Sequence, residues 1–348
     1  MKKVFSRLGI ILLILFVLFL LLYVIVFHLH PGPVSYIMRA VFSDSPAVAP
    51  PDYDKILTKI NSQYDIEYPS DFKDNMMDIY IPSGENTSVK YPVVIWIHGG
   101  GFVGGDKSDA RYFAQTIAAH GYAVFSINYS RAPESKYPTP FFQLSDAYLY
   151  ILDHADEYSS DPSRLFLAGD SAGGQIAAQA ANTLTNEEFG KKMPFQLSLP
   201  RENLKGVLLY SSLLAGDKMT DLSSNLFSKQ FFQMVGWGYF GEKKWYQTHL
   251  YQESDIIENV SQDFPPTFIT DGNYISFEEQ ARKLVSRLDT LGVANDSLFF
   301  PQDEYHLPHE YQFVQNTLPA QIAAERTVEF LDKHSSNETS ETIIKQSG

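Results

Sequence analysis

The chain has 348 residues, of which 44% are apolar and 20% charged, and its formal net charge is -14. This length and composition predict one large globular domain with a short appendage, and the acidic charge argues against nucleic acid, whose phosphates need a basic surface. The sequence holds no cysteine, which excludes disulfides, thiolate metal ligands and a thiol nucleophile.

The first thirty residues are dominated by an apolar run. Lys2, Lys3 and Arg7 precede an uncharged stretch over residues 8–27, and about twenty apolar residues suffice to cross a bilayer as a helix. The run is long for a signal-peptide core and no small-x-small cleavage pattern follows it, so we favour a membrane anchor over a cleaved signal peptide. Basic residues before the run predict a cytoplasmic N-terminus, with the domain that follows the run outside the cytoplasm.

The chain divides into four predicted parts. Residues 1–30 are the cytoplasmic N-terminus and anchor helix, and residues 31–62 are a juxtamembrane connector with a short helix at 34–42. Residues 63–333 form the main globular domain, and the polar tail 334–348 is predicted to be disordered.

Buried apolar runs alternate with helical patterns through the domain, which predicts a mostly parallel sheet with helices on both faces. The predicted strands, of which the first two pair antiparallel, cover residues 63–68, 75–81, 93–97, 123–127, 164–168, 206–210, 267–270 and 297–300. The predicted helices cover residues 108–120, 141–158, 175–181, 276–288 and 319–333. Ser276 and Glu279 have the spacing of a capping box at the start of a helix.

The stretch 213–264 interrupts this alternation and is crowded with aromatic side chains. It lies between two predicted sheet strands, so it would fold over the carboxyl edge of the sheet. We therefore expect an inserted cap that walls a substrate pocket, with an ordinary aromatic helix pair as the alternative.

Gly169-Asp-Ser-Ala-Gly-Gly174 joins a predicted strand to a predicted helix. A strand that enters a helix through Gly-x-Ser-x-Gly is the setting of a nucleophile elbow, in which a sharp turn exposes the serine hydroxyl above the sheet. Small neighbours relieve the crowding of that turn. The pattern predicts Ser171 as the nucleophile.

Four stretches together resemble the hormone-sensitive-lipase-like esterases of the α/β-hydrolase family. They are His98-Gly-Gly-Gly-Phe102, Tyr129-Ser-Arg-Ala-Pro-Glu134, Asp161-Pro-Ser-Arg164 and Gly169–Gly174, in the order that the family shows. The resemblance covers roughly residues 63–333 and implies an α/β-hydrolase fold.

The resemblance also implies an oxyanion hole. Its donors would be the backbone N–H groups of Gly99, Gly100 and Ala172, which stabilise the negative oxygen formed when the serine attacks an ester. We interpret His98 as a structural hydrogen-bonding residue of this loop, and the Arg131–Glu134 segment as a brace beneath it.

The general base should follow the last strand, because the triad of this fold runs serine, acid, histidine along the chain. His306 and His309 both qualify. In the family the histidine is followed two residues later by an aromatic, and His309-Glu-Tyr311 has that pattern. We therefore favour His309, with His306 as the alternative.

The acid is harder to place, since the positions that usually carry it are Tyr274 and Ile275. The available carboxylates are Asp271 at the strand end and Glu278 and Glu279 in the first turn of the next helix, and Glu279 is expected to be engaged by the capping box. We favour Glu278, whose extra methylene extends its reach, over Asp271. In the alternative interpretation, the carboxylate of Glu278 only stabilises the helix by its favourable interaction with the helix dipole.

These observations predict a membrane-anchored serine carboxylesterase that works through an acyl-enzyme on Ser171 and needs neither metal nor cofactor. The family resemblance implies esters of short acyl chains, and the expected location suits a small-molecule or cell-surface ester. The other expected partner is the lipid bilayer around residues 8–27. An amidase or peptidase on the same fold, or a non-catalytic surface binding protein, are the alternatives.

Overall fold

One sheet of eight strands organises the molecule. The computed structural model describes residues 2–41, 47–84, 89–215 and 226–335. The strands are β1 Ile60–Glu67, β2 Met76–Pro82, β3 Tyr91–Ile97, β4 Ala123–Ile127, β5 Ser160–Asp170, β6 Leu204–Tyr210, β7 Thr267–Thr270 and β8 Asn295–Leu298.

The strand order is β1-β2-β4-β3-β5-β6-β7-β8. The pairs β1–β2 and β2–β4 are antiparallel, and every later pair is parallel. From β3 to β7 the strands are short apolar runs with nearly every side chain buried, as expected where helices cover both faces. Parallel strands place their carboxyl ends at one edge, and the loops that follow β3, β5, β6 and β7 therefore meet there.

Helices cover both faces of this sheet. Those of the catalytic core and its edges are α3 Tyr53–Leu57, α4 Arg111–Ala118, α5 Thr139–Asp153, α6 Ser171–Thr185, α7 Glu187–Gly190, α11 Glu278–Leu291 and α12 Leu318–Ser335. Large side chains fill the core on either side of β3 and β5, among them Trp96, Phe125, Phe141 and Phe166. The predicted α/β-hydrolase architecture is confirmed, and the bounds of most elements differ from expectation by a few residues only.

Residues 2–41 of the N-terminal part are mostly helical. Helix α1, Lys2–Val24, continues into a π-helical turn, Ile25–Leu29, and α2 follows at Gly32–Val41. Within the segment Arg7–Leu29, a window of 18 residues has a mean hydropathy of 3.6, and none of that window is buried. Its length and composition are those of a membrane span, and a signal sequence has the same properties.

The described residues of the insertion after β6 contain the α-helices α8 Leu226–Phe240, α9 His249–Glu253 and α10 Ile256–Asn259. Trp245 lies buried between α8 and α9, where its indole N–H donates to the carbonyl oxygen of Gln233 at 3.0 Å. The beginning of the predicted cap, at 216–225, and most of the predicted tail, at 336–348, lie outside the described residues.

Helix α2 packs against α8, so the predicted connector is partly structured. On this contact Ser35 is buried, and a Cβ placed on Gly238 would lie 3.4 Å from its hydroxyl oxygen. Val34 is buried as well, whereas Tyr36 and Ile37 are exposed. The helix therefore has an inner face against the insertion and an outer face turned to the surroundings.

Candidate active site

Ser171 lies at the junction of β5 and α6, where the sequence predicts a nucleophile elbow. Its φ is 51°, a left-handed conformation that a non-glycine residue adopts only under local constraint. The following glycines permit the close crossing of α6 over β3, because a Cβ on Gly173 would collide with the backbone oxygen of Ile97. The turn thus holds the hydroxyl at the carboxyl edge of the sheet.

His309 is the histidine that lies at this serine. Its Nε2 is 3.1 Å from the Oγ of Ser171, and the ring of Phe277 packs against it with centroids 5.1 Å apart. Burial lowers the pKa of His309 from its ordinary value, and the charge of Asp271 opposes that shift. His306, the alternative base, is exposed and lies against Tyr274 instead.

A hydroxyl bridges this histidine to a carboxylate. Ser276 donates its proton to Oδ1 of Asp271, and its Oγ lies 2.9 Å from Nδ1 of His309. The only proton of the hydroxyl is engaged in the hydrogen bond to the carboxylate. Its oxygen therefore accepts the Nδ1–H of the imidazole. This assigns the tautomer of His309, whose Nε2 lone pair then faces Ser171.

Asp271 is buried at the end of β7, on the same edge as Ser171. Burial raises its pKa to about 6, while the nearby His309 and the hydroxyl of Ser276 act in the opposite direction. The hydroxyl and the imidazole thus offset part of the cost of burying this carboxylate.

The structure does not bring Glu278 to the histidine, and the prediction that favoured it needs correction. Glu278 begins α11, and its carboxylate pairs one turn ahead with Arg282 at 2.7 Å. The predicted capping box is also wrong: the hydroxyl of Ser276 points to Asp271, and Glu279 pairs with Lys283. Distance along the chain misled the prediction, because the loop after β7 folds back over the strand end.

The glycine loop after β3 is held from below by His98. This side chain is buried, stacks on Tyr129 with centroids 4.4 Å apart, and its Nδ1 lies 2.9 Å from the carbonyl oxygen of Gly99. Burial lowers the pKa of His98 to about 4, so the ring is neutral and donates from Nδ1. The Tyr129 hydroxyl donates to the carbonyl oxygen of His98 at 3.1 Å.

The predicted oxyanion donors do not all face the serine. The N–H of Gly99 donates to Oδ2 of Asp170 at 2.8 Å, so the prediction that it binds an oxyanion needs correction. No hydrogen bond within the described part of the chain engages the N–H of Gly100 or of Ala172. Gly100 has a φ of 90°, which turns its peptide in a way that a side chain would resist.

Sequence reasoning missed a carboxyl pair beside this loop. Asp170 and Glu310 both border Gly99, where an added Cβ would meet Oδ2 of Asp170 and lie 3.0 Å from Oε1 of Glu310, and Asp170 also accepts the indole N–H of Trp96 at 2.8 Å. Desolvation raises the pKa of both carboxyls, that of Glu310 to about 7, and the charge of Glu310 adds to the rise at Asp170. Their positions next to Ser171 and His309 are the signal that could have found them.

Metal ligation has no support in the ranges that the structure describes. No group of three or more histidine, aspartate or glutamate side chains is arranged there to hold an ion.

A family model described as BD-FAE matches residues 77–288, which is more than half of the chain. The chain belongs to the BD-FAE family. The match begins in β2 and ends in α11, so it contains the glycine loop, the elbow, Asp271 and Ser276, while His309 lies beyond it.

This BD-FAE member is similar to curated relatives that are named as an esterase and a lipase. It is 29% identical over 222 residues to Esterase LipI of Mycobacterium tuberculosis, covering 62% of this chain and 65% of that one. It is 37% identical over 103 residues to the hormone-sensitive lipase of Mus musculus, covering 29% of this chain and 13% of that one. The predicted family resemblance is confirmed, although the chain spans less than two thirds of these relatives.

The fold is shared with solved esterase structures. Esterase B from Lactobacillus Rhamnosis superimposes with a TM-score of 0.68 at 19% identity, over 87% of this chain and 92% of that one. At this identity the likeness concerns the α/β-hydrolase fold.

Proposed function

We propose that this BD-FAE protein is a serine carboxylesterase with Ser171 as nucleophile, His309 as general base and Asp271 as acid. One observation carries the proposal: Nε2 of His309 lies 3.1 Å from Oγ of Ser171, while its Nδ1 is joined through Ser276 to Asp271. The names of the curated relatives support an esterase activity.

The reaction begins when Oγ of Ser171 attacks the carbonyl carbon of an ester and passes its proton to Nε2 of His309. The carbonyl oxygen becomes negative and is stabilised by the N–H groups of Gly100 and Ala172; losing one such donor typically costs about 2.7–4 kcal/mol. As the C–O bond breaks, His309 returns the proton to the leaving alcohol. Water, deprotonated by the same imidazole, then hydrolyses the acyl-enzyme.

During both steps the positive charge on His309 is stabilised by Asp271 through the hydroxyl of Ser276. The acid holds the imidazole in the tautomer that leaves Nε2 free. The carboxyl pair of Asp170 and Glu310 has a different role. Asp170 accepts hydrogen bonds from Gly99 and Trp96, and so holds the glycine loop close to the elbow.

For the substrate we propose an ester of a short acyl chain. The aromatic insertion supports a pocket of limited size, since Tyr239 of α8 stacks on Phe102 of the glycine loop with centroids 3.9 Å apart. Hydrolysis rates of nitrophenyl esters from acetate to palmitate test this, and a preference for palmitate would contradict it.

For the location we propose a single-pass anchor with the catalytic domain outside the cytoplasm. Support comes from the apolar, unburied segment Arg7–Leu29 and from the basic residues that precede most of it. An acetyl ester of the cell surface would suit this location. A cleaved signal sequence is the competing interpretation.

A fluorophosphonate probe tests the central proposal. It should label the folded wild-type chain and leave Ser171→Ala unlabelled, and nitrophenyl acetate should be hydrolysed only by the former. Peptide amides of matched acyl groups separate esterase from amidase: turnover of the amides at comparable rates would favour an amidase. Absence of labelling in the folded wild-type chain would favour a non-catalytic binding protein.

A further inference from the structure

Arg39, on the helix next to the apolar segment, reaches the loop that follows β3. Its Nε donates to the carbonyl oxygen of Val103 at 2.8 Å, and its Nη2 donates to that of Ala132 at 3.0 Å. The same guanidinium grips both carboxylate oxygens of Glu134, at 3.0 and 2.8 Å. Its side chain is only 26% exposed. One planar fork therefore joins α2 to two loops of the catalytic domain.

The two carbonyls that it binds belong to residues whose own N–H groups donate to the glycine loop. The N–H of Val103 donates to the carbonyl oxygen of Gly100 at 3.2 Å, and the N–H of Ala132 donates to that of Phe102 at 2.8 Å. Through these hydrogen bonds Arg39 supports residues 100–103, the stretch that contains a proposed oxyanion donor.

This stretch needs an external support. Gly100, Gly101 and Phe102 have φ values of 90°, 59° and 63°, so three consecutive residues of one short loop are left-handed. A non-glycine residue in that region persists only when its surroundings over-determine it. Two contacts supply this at Phe102: its ring stacks on Tyr239, and its carbonyl is bound by Ala132 beneath Arg39.

We propose that Arg39 is a positioning residue for the oxyanion hole, which makes the helix beside the apolar segment part of the catalytic apparatus. The inference rests on the proposed esterase function and goes beyond it, because the family model begins at residue 77 and leaves Arg39 outside. The competing role is a staple that fastens α2 to the domain without effect on the loop. A lysine retains the charge but lacks the planar fork that binds two carbonyls and a carboxylate together.

The test compares Arg39→Ala and Arg39→Lys with the wild-type full chain on nitrophenyl acetate. A displaced donor affects the transition state more than the bound ester, so kcat should fall about 10- to 100-fold with little change in KM. A trifluoromethyl ketone, whose adduct on Ser171 carries an oxyanion, should lose affinity by the same factor. Arg39→Lys should recover part of kcat.

Arg164→Gln is the matched control, because Arg164 also pairs with a carboxylate and a backbone carbonyl, at Asp161 and Lys90. It lies at the opposite edge of the sheet, so this variant should keep kcat and the ketone affinity even where its thermal midpoint drops.

Outcomes separate the inference from the proposed function. If the wild type hydrolyses the ester, Ser171→Ala does not, and folded Arg39 variants keep kcat and ketone affinity, Arg39 is only a staple. If Ser171→Ala retains activity, the proposed function itself fails. If Arg39→Ala does not fold, Arg39→Lys is compared with Glu134→Gln, a variant that leaves both hydrogen bonds to the backbone carbonyls in place. Equal losses of kcat in these two variants would overturn the inference.

Discussion

Asp271 and Glu278 lie seven positions apart, yet only the former is joined to the imidazole, through a bridging hydroxyl. Asp271→Asn should lower kcat for nitrophenyl acetate by about 10⁴-fold, since the neutral amide no longer stabilises the imidazolium or its tautomer. Glu278→Gln should stay within about twofold of the wild type, because it removes an exposed helix pair of small energy. Steady-state kinetics of both variants decide the assignment, and a reversed pattern would restore Glu278 as the acid.

The hydroxyl of Ser276 is the second residue-scale prediction. Ser276→Ala leaves the buried carboxylate and the Nδ1–H without their shared partner, a loss of about 1.5–3 kcal/mol for a bond to a charged group. We expect kcat to fall by about 10- to 100-fold, and Ser276→Thr, which keeps the hydroxyl, to recover most of it. Equal kcat in wild type and Ser276→Ala would show that Asp271 acts on His309 without this bridge.

The pH profile reports on the same histidine. His309 must be neutral to accept the proton, so kcat/KM should be full above its pKa and fall as pH decreases through it. Burial lowers that pKa, which places the acidic limb below about 6.5, the ordinary value for histidine. Asp271 acts in the opposite direction, so the residual activity of Asp271→Asn should show its limb at still lower pH. A limb above the ordinary value would contradict this.

At the scale of elements, most of the sheet is predictable from sequence. Strands β3 to β7 contain apolar runs that are buried on both faces, and such runs can be recognised in the sequence alone. The elbow is also local, since a strand, a serine between glycines and a helix are adjacent in the chain. Ser171 and its histidine could therefore be identified from sequence.

The missed features depend on contacts between distant elements. Arg39 binds Val103, 64 positions away, and no local pattern records such a pair. Ser276 looks like a helix cap because its spacing to Glu279 fits one, but the loop after β7 turns it toward Asp271. The preference for Glu278 has the same origin, since spacing cannot say how a loop folds.

The crossing of α6 over β3 carries the fourth prediction. Gly173→Ala puts a methyl group against the backbone of Ile97, which cannot retreat within a buried strand. We expect a loss of about 1–3 kcal/mol in unfolding free energy and a lower kcat as the elbow shifts. Gly238→Ala is the matched control. This glycine lies in α8 and its Cβ would make only ordinary van der Waals contacts, so thermal unfolding should show unchanged or increased stability.

At the scale of the whole molecule, the apolar segment is fastened to the insertion. Lys243 donates to the carbonyl oxygen of His28 at 2.9 Å, and Gln230 donates to that of Phe27 at 3.4 Å. Helix α2 then packs on α8 and Arg39 binds the glycine loop. The N-terminal segment and the catalytic domain therefore share a set of contacts.

The fifth prediction concerns the proposed anchor. In cells the full chain should stay with membranes after an alkaline carbonate wash, and its mass should include residues 1–30. A matched chain that lacks residues 1–30 should appear in the soluble fraction. Release of a shorter chain, with a mass that begins after the apolar segment, would instead establish a cleaved signal sequence.

The short passage from Leu29 to Gly32 has a consequence for how far the enzyme can reach. A flexible linker of twenty residues would let a domain wander about 25 Å from its anchor. Here the helix enters the domain almost directly, so a bilayer around the apolar segment would hold Ser171 at a fixed height. Such an enzyme would meet its ester by lateral diffusion, and its rate would follow the surface density of the ester at that height.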